Sequence, residues 1–79
     1  MPKPTRTMQR VIEAIDSTPR GELTVYHGGR WDGAWVGKYK FNRRTVAALI
    51  ESERLEHADT QTGVNGERID VYRLPKVLL

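Results

Sequence analysis

The sequence predicts an α+β domain in which two amphipathic helices accompany a small antiparallel sheet. Three observations carry that prediction. Apolar residues recur at helical spacing in Met8, Val11, Ile12 and Ile15, and again in Val46, Leu49 and Ile50. Alternation of side-chain type replaces that spacing in residues 23–27 and 69–72. Asn65-Gly66, between two strand-like runs, is a strong short-range hairpin signal because a type I′ turn needs positive φ at both central positions.

Taken in order, residues 1–5 with Pro2 and Pro4 read as a flexible basic arm. The first helix is expected over about residues 6–17, capped by Thr5 or Thr7 and ended by Ser17-Thr18-Pro19 with Gly21. Residues 21–41 hold five glycines and both tryptophans. At about 1 kcal/mol per glycine a helix is disfavoured there, and a glycine-rich hairpin or two short strands are expected, turning at Gly28-Gly29 or Asp32-Gly33. Lys38 and Lys40 would share one strand face, with Trp35, Tyr39 and Phe41 on the other, in the core. Trp31 is expected in the core as well, since indoles are the largest apolar groups a small chain has.

The second helix is expected over about residues 42–54. Asn42 is a good N-cap, and Phe41 sits where a hydrophobic staple would pack on Val46. Two strands over about 55–62 and 67–74 then form a C-terminal hairpin that Pro75 ends. Val77-Leu78-Leu79 is an apolar tail suited to the core or to a second subunit, so a homodimer is one expectation.

Length and composition narrow the function. At 79 residues a single domain over 1–79 is expected. No cysteine means no disulfide, no thiolate nucleophile and no Cys-ligated zinc. No apolar run spans a membrane and no secretory signal opens the chain, so a cytoplasmic, host-cell setting is expected. Ser17 and Ser52 lack the glycines of a nucleophile elbow, and Gly28-Gly29 lacks the Lys-Ser/Thr of a phosphate loop. On a regular strand His57 and Asp59 would share a face, but two ligands make no metal site. The expectation is a chain that is not an enzyme and takes no cofactor or metal.

The net charge of +3 hides its distribution. Residues 1–12 carry +3, 13–32 carry −2, 33–50 carry +4 and 51–59 carry −3. Arg43 and Arg44 open the second helix while Glu51 and Glu53 close it, against a macrodipole preference of about 0.3–1 kcal/mol per charge. Cations accepted at that cost suit phosphates or a guanine edge.

The run Asn42-Arg43-Arg44-Thr45-Val46-Ala47-Ala48-Leu49-Ile50, followed by Glu51-Ser52-Glu53-Arg54-Leu55-Glu56, resembles the recognition helix of the winged helix-turn-helix family running into its wing. The order of elements over residues 7–74 is similar to that family, and such short proteins are common in phages and other mobile elements. The helix that would precede the recognition helix is replaced by the glycine-rich residues 31–41. The resemblance implies a regulator that binds double-stranded DNA. Arg43 and Arg44 would enter the major groove, Lys38, Lys40 and Arg68 would hold the backbone, and Lys3 and Arg6 would follow the minor groove. The alternative is a phage-encoded inhibitor or adaptor, such as an anti-CRISPR protein, that docks on a host protein.

Overall fold

A computed structural model describes residues 5–75 of the chain. Lys3, most of the expected basic arm and the apolar tail of Val77, Leu78 and Leu79 lie outside the described residues. The order of elements is α1 (Arg6–Ser17), β1 (Glu22–His27), β2 (Gly33–Val36), β3 (Tyr39–Phe41), α2 (Arg43–Glu51), β4 (Glu56–Thr62) and β5 (Arg68–Arg73). The α+β expectation holds, with five strands forming one antiparallel sheet in the order β3-β2-β1-β5-β4.

Local signals account for the helices. Thr5, one of the two expected caps, caps α1 by accepting from the Met8 amide at 3.2 Å, and the helix begins at Arg6 as expected. Asn42 caps α2, accepting from the Arg44 amide at 2.8 Å. The end of α2 differs from expectation: it stops at Glu51, not 54. The Arg54 amide bonds the Leu49 carbonyl and the Glu53 amide bonds the Ile50 carbonyl, the pattern of a Schellman C-cap. Glu53 takes the left-handed position there with φ of 59°, a place that usually belongs to glycine.

One face of the sheet is covered. Met8, Val11 and Ile15 of α1 and Val46 and Leu49 of α2 pack on Leu23 and Val25 of β1 and on Ala34 and Val36 of β2. The strand register places Leu23, Val25, Ala34 and Val36 on this face, with Tyr72 and Asp70 of β5 beside them. The other face carries Glu22, Thr24 and Tyr26 from β1, Trp35 from β2, Lys40 from β3, and Ile69, Val71 and Arg73 from β5. Neither helix covers it.

Three details depart from the sequence reading. The chain turns between Val36 and Tyr39, which restarts the alternation, so Trp35 shares a face with Lys40, and Tyr39 pairs with Val36. Trp35 therefore stands on the uncovered face. Trp31 is 57% exposed and Tyr39 62% exposed, so neither is core, whereas Phe41 does pack against the core. A β-bulge at Ala58 sets His57 opposite Tyr72 and Asp59 opposite Val71, on opposite faces of the sheet. The tip of the β4–β5 hairpin is not a two-residue type I′ turn. The Gly66 amide bonds the Gly63 carbonyl, and of the tip residues Asn65 and Gly66 only Gly66 has positive φ, which is the longer loop built on a type I turn.

Candidate nucleic-acid interface

The basic residues marked by the sequence do not form one face. Arg43 is held on two sides: one Nη2 donates to the Asp32 carboxylate at 2.6 Å and to the Tyr26 carbonyl at 2.7 Å. Asp32 also accepts from the Gly28 amide at 2.7 Å, so Arg43 clamps the β1–β2 turn against the start of α2. Arg44 is exposed, and its side chain has no ion pair or hydrogen bond among the described residues. Arg68 sits opposite His27 on the helix-covered face and bonds Asp70. Arg6 is exposed at the start of α1.

Lys38 and Lys40 fare differently. With Trp31, Trp35 and Tyr26 they belong to the uncovered face and its rim. A groove of about 740 Å³ runs there, walled by Thr18, Pro19 and Arg20 on one side and by Trp31, Trp35 and Lys38 on the other, with Thr24 and Tyr26 within it. The indoles meet edge to face, their centroids 5.6 Å apart at 78°, and Trp35 Nε1 donates to the Trp31 carbonyl at 2.7 Å. That bond fixes the ring of Trp35 and uses its polar atom, leaving ring surface towards the groove. Lys40 Nζ stands 5.8 Å from the centre of the Trp35 ring, and Lys38 Nζ 5.9 Å from that of Tyr39. The stem of Lys40 crosses Gly33 so closely that a Cβ there would lie 2.6 Å from Lys40 Cε, and φ of 132° at Gly33 excludes other residues as well. The acid in the groove is Glu22, whose carboxylate stands 3.8 Å from Arg73.

The helix-covered face carries a second polar constellation at the end that the helices leave open. Asp70 is 3% exposed and collects donors from three strands. His27 Nε2 approaches Oδ2 at 2.9 Å and His57 Nε2 approaches Oδ1 at 3.1 Å. Thr60 Oγ1 donates to Oδ1 at 2.8 Å, and Arg68 Nε stands 3.1 Å from Oδ2. Burial alone would raise the carboxyl pKa. The hydrogen bonds from Thr60, His57 and His27 and the charge of Arg68 outweigh it and hold the group down at about 2. Next to it, burial and the Asp70 charge push the Tyr72 hydroxyl up. His57 stacks edge to face on Tyr72, and a cleft of about 190 Å³ opens beside His27 between α2 and the sheet.

Sequence reasoning missed Asp70 entirely. The alternation of Ile69 and Val71 with Asp70 and Tyr72 predicts the apolar pair on the core face, whereas the register sets Asp70 and Tyr72 on the helix-covered face. Among the described residues no group of three or more histidines and carboxylates is arranged to hold a metal ion. Comparison of the chain with protein-family models, with curated proteins and with solved structures finds no match.

Proposed function

We propose that this chain is a nucleic-acid-binding module that holds single strands on the uncovered face of its sheet. The observation that supports the reading is the groove itself: Trp31, Trp35 and Tyr26 line or rim it, with Arg20, Lys38 and Lys40 at hand. Bases of any sequence stack on aromatic rings, while cations alongside track the phosphates. The exposed Trp31 and the half-buried Trp35 are held in place by a hydrogen bond and by each other. A flat sheet face does not enter the major groove of a duplex, and α2 offers Arg44 for that task while Asp32 occupies Arg43.

The winged-helix outline belongs to the same reading. What supports it is the order of elements: the two helices with β1, β4 and β5, and the β2–β3 hairpin between β1 and α2 in place of a supporting helix. That hairpin is also the element that carries Trp35 and Lys40, so the departure from the family pattern is the part that builds the groove.

The test is fluorescence anisotropy with labelled 12-nucleotide single strands and the matching duplex. Single strands bind, quench tryptophan emission and lose affinity with salt at a log–log slope of about −2, as three phosphate contacts imply at about 0.7 each. Trp31→Ala and Trp35→Ala each weaken binding by about 1–3 kcal/mol. Binding that ignores both substitutions sinks the proposal. A preference for duplex that depends on Arg44 restores the α2 reading, and silence towards every nucleic acid with capture of a host protein favours the inhibitor reading.

A further inference from the structure

The groove on the open face holds one group that binding strands of any sequence does not call for. Glu22 lines it together with Arg20 and Lys38, and it is the only acid among the lining residues. A carboxylate there repels the phosphates that the cations attract, so it weakens strand binding unless a base meets it. Its charged neighbour is Arg73, opposite it on β5, whose Nη2 stands 3.8 Å from Oε2. Charge-assisted hydrogen bonds close to about 2.7–2.9 Å, so this is an ion pair without a hydrogen bond. Among the described residues no hydrogen bond reaches either oxygen of Glu22. With side chains 30% and 48% exposed, the pair adds little to stability.

The sheet fixes where this carboxylate starts from. Glu22 shares the open face of β1 with Thr24 and Tyr26, and Thr24 pairs with Trp35. Its Cα therefore lies about 7 Å along the strand from that of the residue beside the indole, a step comparable with the width of a purine. The β1–β2 register, carried two residues past Trp35, sets Gly37 beside Glu22. Gly37 lines the groove without a side chain, and a Cβ there would meet nothing within 4 Å. The way from the ring of Trp35 to Glu22 is thus left clear on the β2 side, and Lys38 is the next residue of that wall.

Which base suits such a site follows from its donors. The Watson–Crick edge of guanine carries N1–H and the N2 amino group side by side, two donors spaced for the two oxygens of one carboxylate. Adenine and cytosine offer one amino group beside a ring nitrogen that accepts. Thymine and uracil offer one N–H between two carbonyls. In each of these an acceptor faces a carboxylate oxygen, and the contact is repulsive. Guanine O6, beside N1–H, is itself an acceptor and suits a cation, and Lys38 and Arg20 stand in the same groove. We infer that the groove contains a guanine seat, in which the base stacks on Trp35 and Glu22 accepts from N1–H and N2–H. The seat rests on the strand-binding reading and adds a choice of base that stacking does not make. One position of a bound strand is then specified, and its neighbours are held by ring surface and charge alone.

The experiment uses the full chain and labelled 12-nucleotide thymine strands whose central base is guanine, inosine or thymine; a single guanine forms no quadruplex. By fluorescence anisotropy the guanine strand binds about 10-fold tighter than the thymine strand, and inosine, which lacks the N2 amino group, falls between them. Glu22→Gln brings the three strands to within about 2-fold of one another. Its circular dichroism is unchanged, and its affinity for the thymine strand is kept or raised, since a charge that repels phosphate is gone. Equal affinity for the three strands, still dependent on Trp31 and Trp35, overturns the guanine seat and leaves the strand-binding reading standing. A guanine preference that survives Glu22→Gln does the same. A preference that Glu22→Gln abolishes but Trp31→Ala and Trp35→Ala leave untouched overturns the stacking groove and keeps the role of the carboxylate. No binding of any strand overturns both.

Discussion

The two faces of the sheet use the same strands to different ends. On the covered face the alternation delivers Leu23, Val25, Ala34 and Val36, small or aliphatic groups that interdigitate with Val11, Ile15 and Leu49 at close to zero exposure. On the open face β1 and β2 deliver Tyr26 and Trp35, and β3 adds Lys40, whose Nζ stands over the Trp35 ring. In this chain aliphatic side chains build the core, and the indoles are kept out of it. If the open face binds strands as proposed, the two-residue period of a strand separates packing from binding, and a substitution should damage one without the other.

The sharpest way to break that separation is to strike the covered face. Leu49→Ala, at a side chain with no exposure, is expected to cost about 2–5 kcal/mol and to lower the denaturation midpoint accordingly. Urea titration followed by circular dichroism measures it. A loss of about 1 kcal/mol or less would show that the helices are not what holds the sheet. Next comes the open face. Trp35→Ala is expected to remove about 1–3 kcal/mol of strand affinity, yet to shift the same urea midpoint far less than Leu49→Ala does. Equal shifts in both variants would erase the distinction between the faces.

Acid sharpens the comparison at the polar end of the covered face. Asp70 titrates at about 2 in the folded chain and near 3.8 when unfolded, so the unfolded state takes up the proton first as pH falls. The stability that Asp70 contributes is complete above about pH 4 and is lost between there and pH 2. A discounted figure of about 1–2 kcal/mol is expected. Thermal melts across that range show a slope that Asp70→Asn removes. A slope that survives in Asp70→Asn assigns acid sensitivity to other carboxylates. The smallest effect lies at the end of α2. Glu53→Gly relieves a left-handed backbone and is expected to add about 0.5–1 kcal/mol, read as a higher melting temperature with groove affinity unchanged.

What the chain reveals in sequence follows the range of the interaction that decides it. Thr5 and Asn42 are legible as caps because each partner lies within three residues. The helical stripes and the β4–β5 hairpin are legible for the same reason. The side on which Trp35 falls is not, because it depends on where the chain turns after Val36, and a shift of one residue there exchanges the faces. Reading residues 35–41 as one uninterrupted strand therefore puts the indole in the core and Lys40 outside it. Asp70 was illegible for a longer-range reason. Its donors come from β1, β4 and β5, and His57 and Thr60 face it together only because Ala58 is bulged out of register. The +4 charge block was legible as charge but not as surface, since Asp32 reaches Arg43 from a turn outside that block.

The position of β1 in the sheet also sets how the chain reaches this structure. β1 lies between a near neighbour in sequence, β2, and a far one, β5, with Glu22 beside Arg73 and His27 beside Arg68. The β1–β2, β2–β3 and β4–β5 pairs close through short turns and can form early and independently. The β1–β5 seam joins the two halves across the intervening chain, α2 included, and closes the longest loop of any strand pair in the sheet. The groove is built on the first half and Asp70 on the second. His27 meets Asp70 only across this seam, so the contact requires both halves of the sheet.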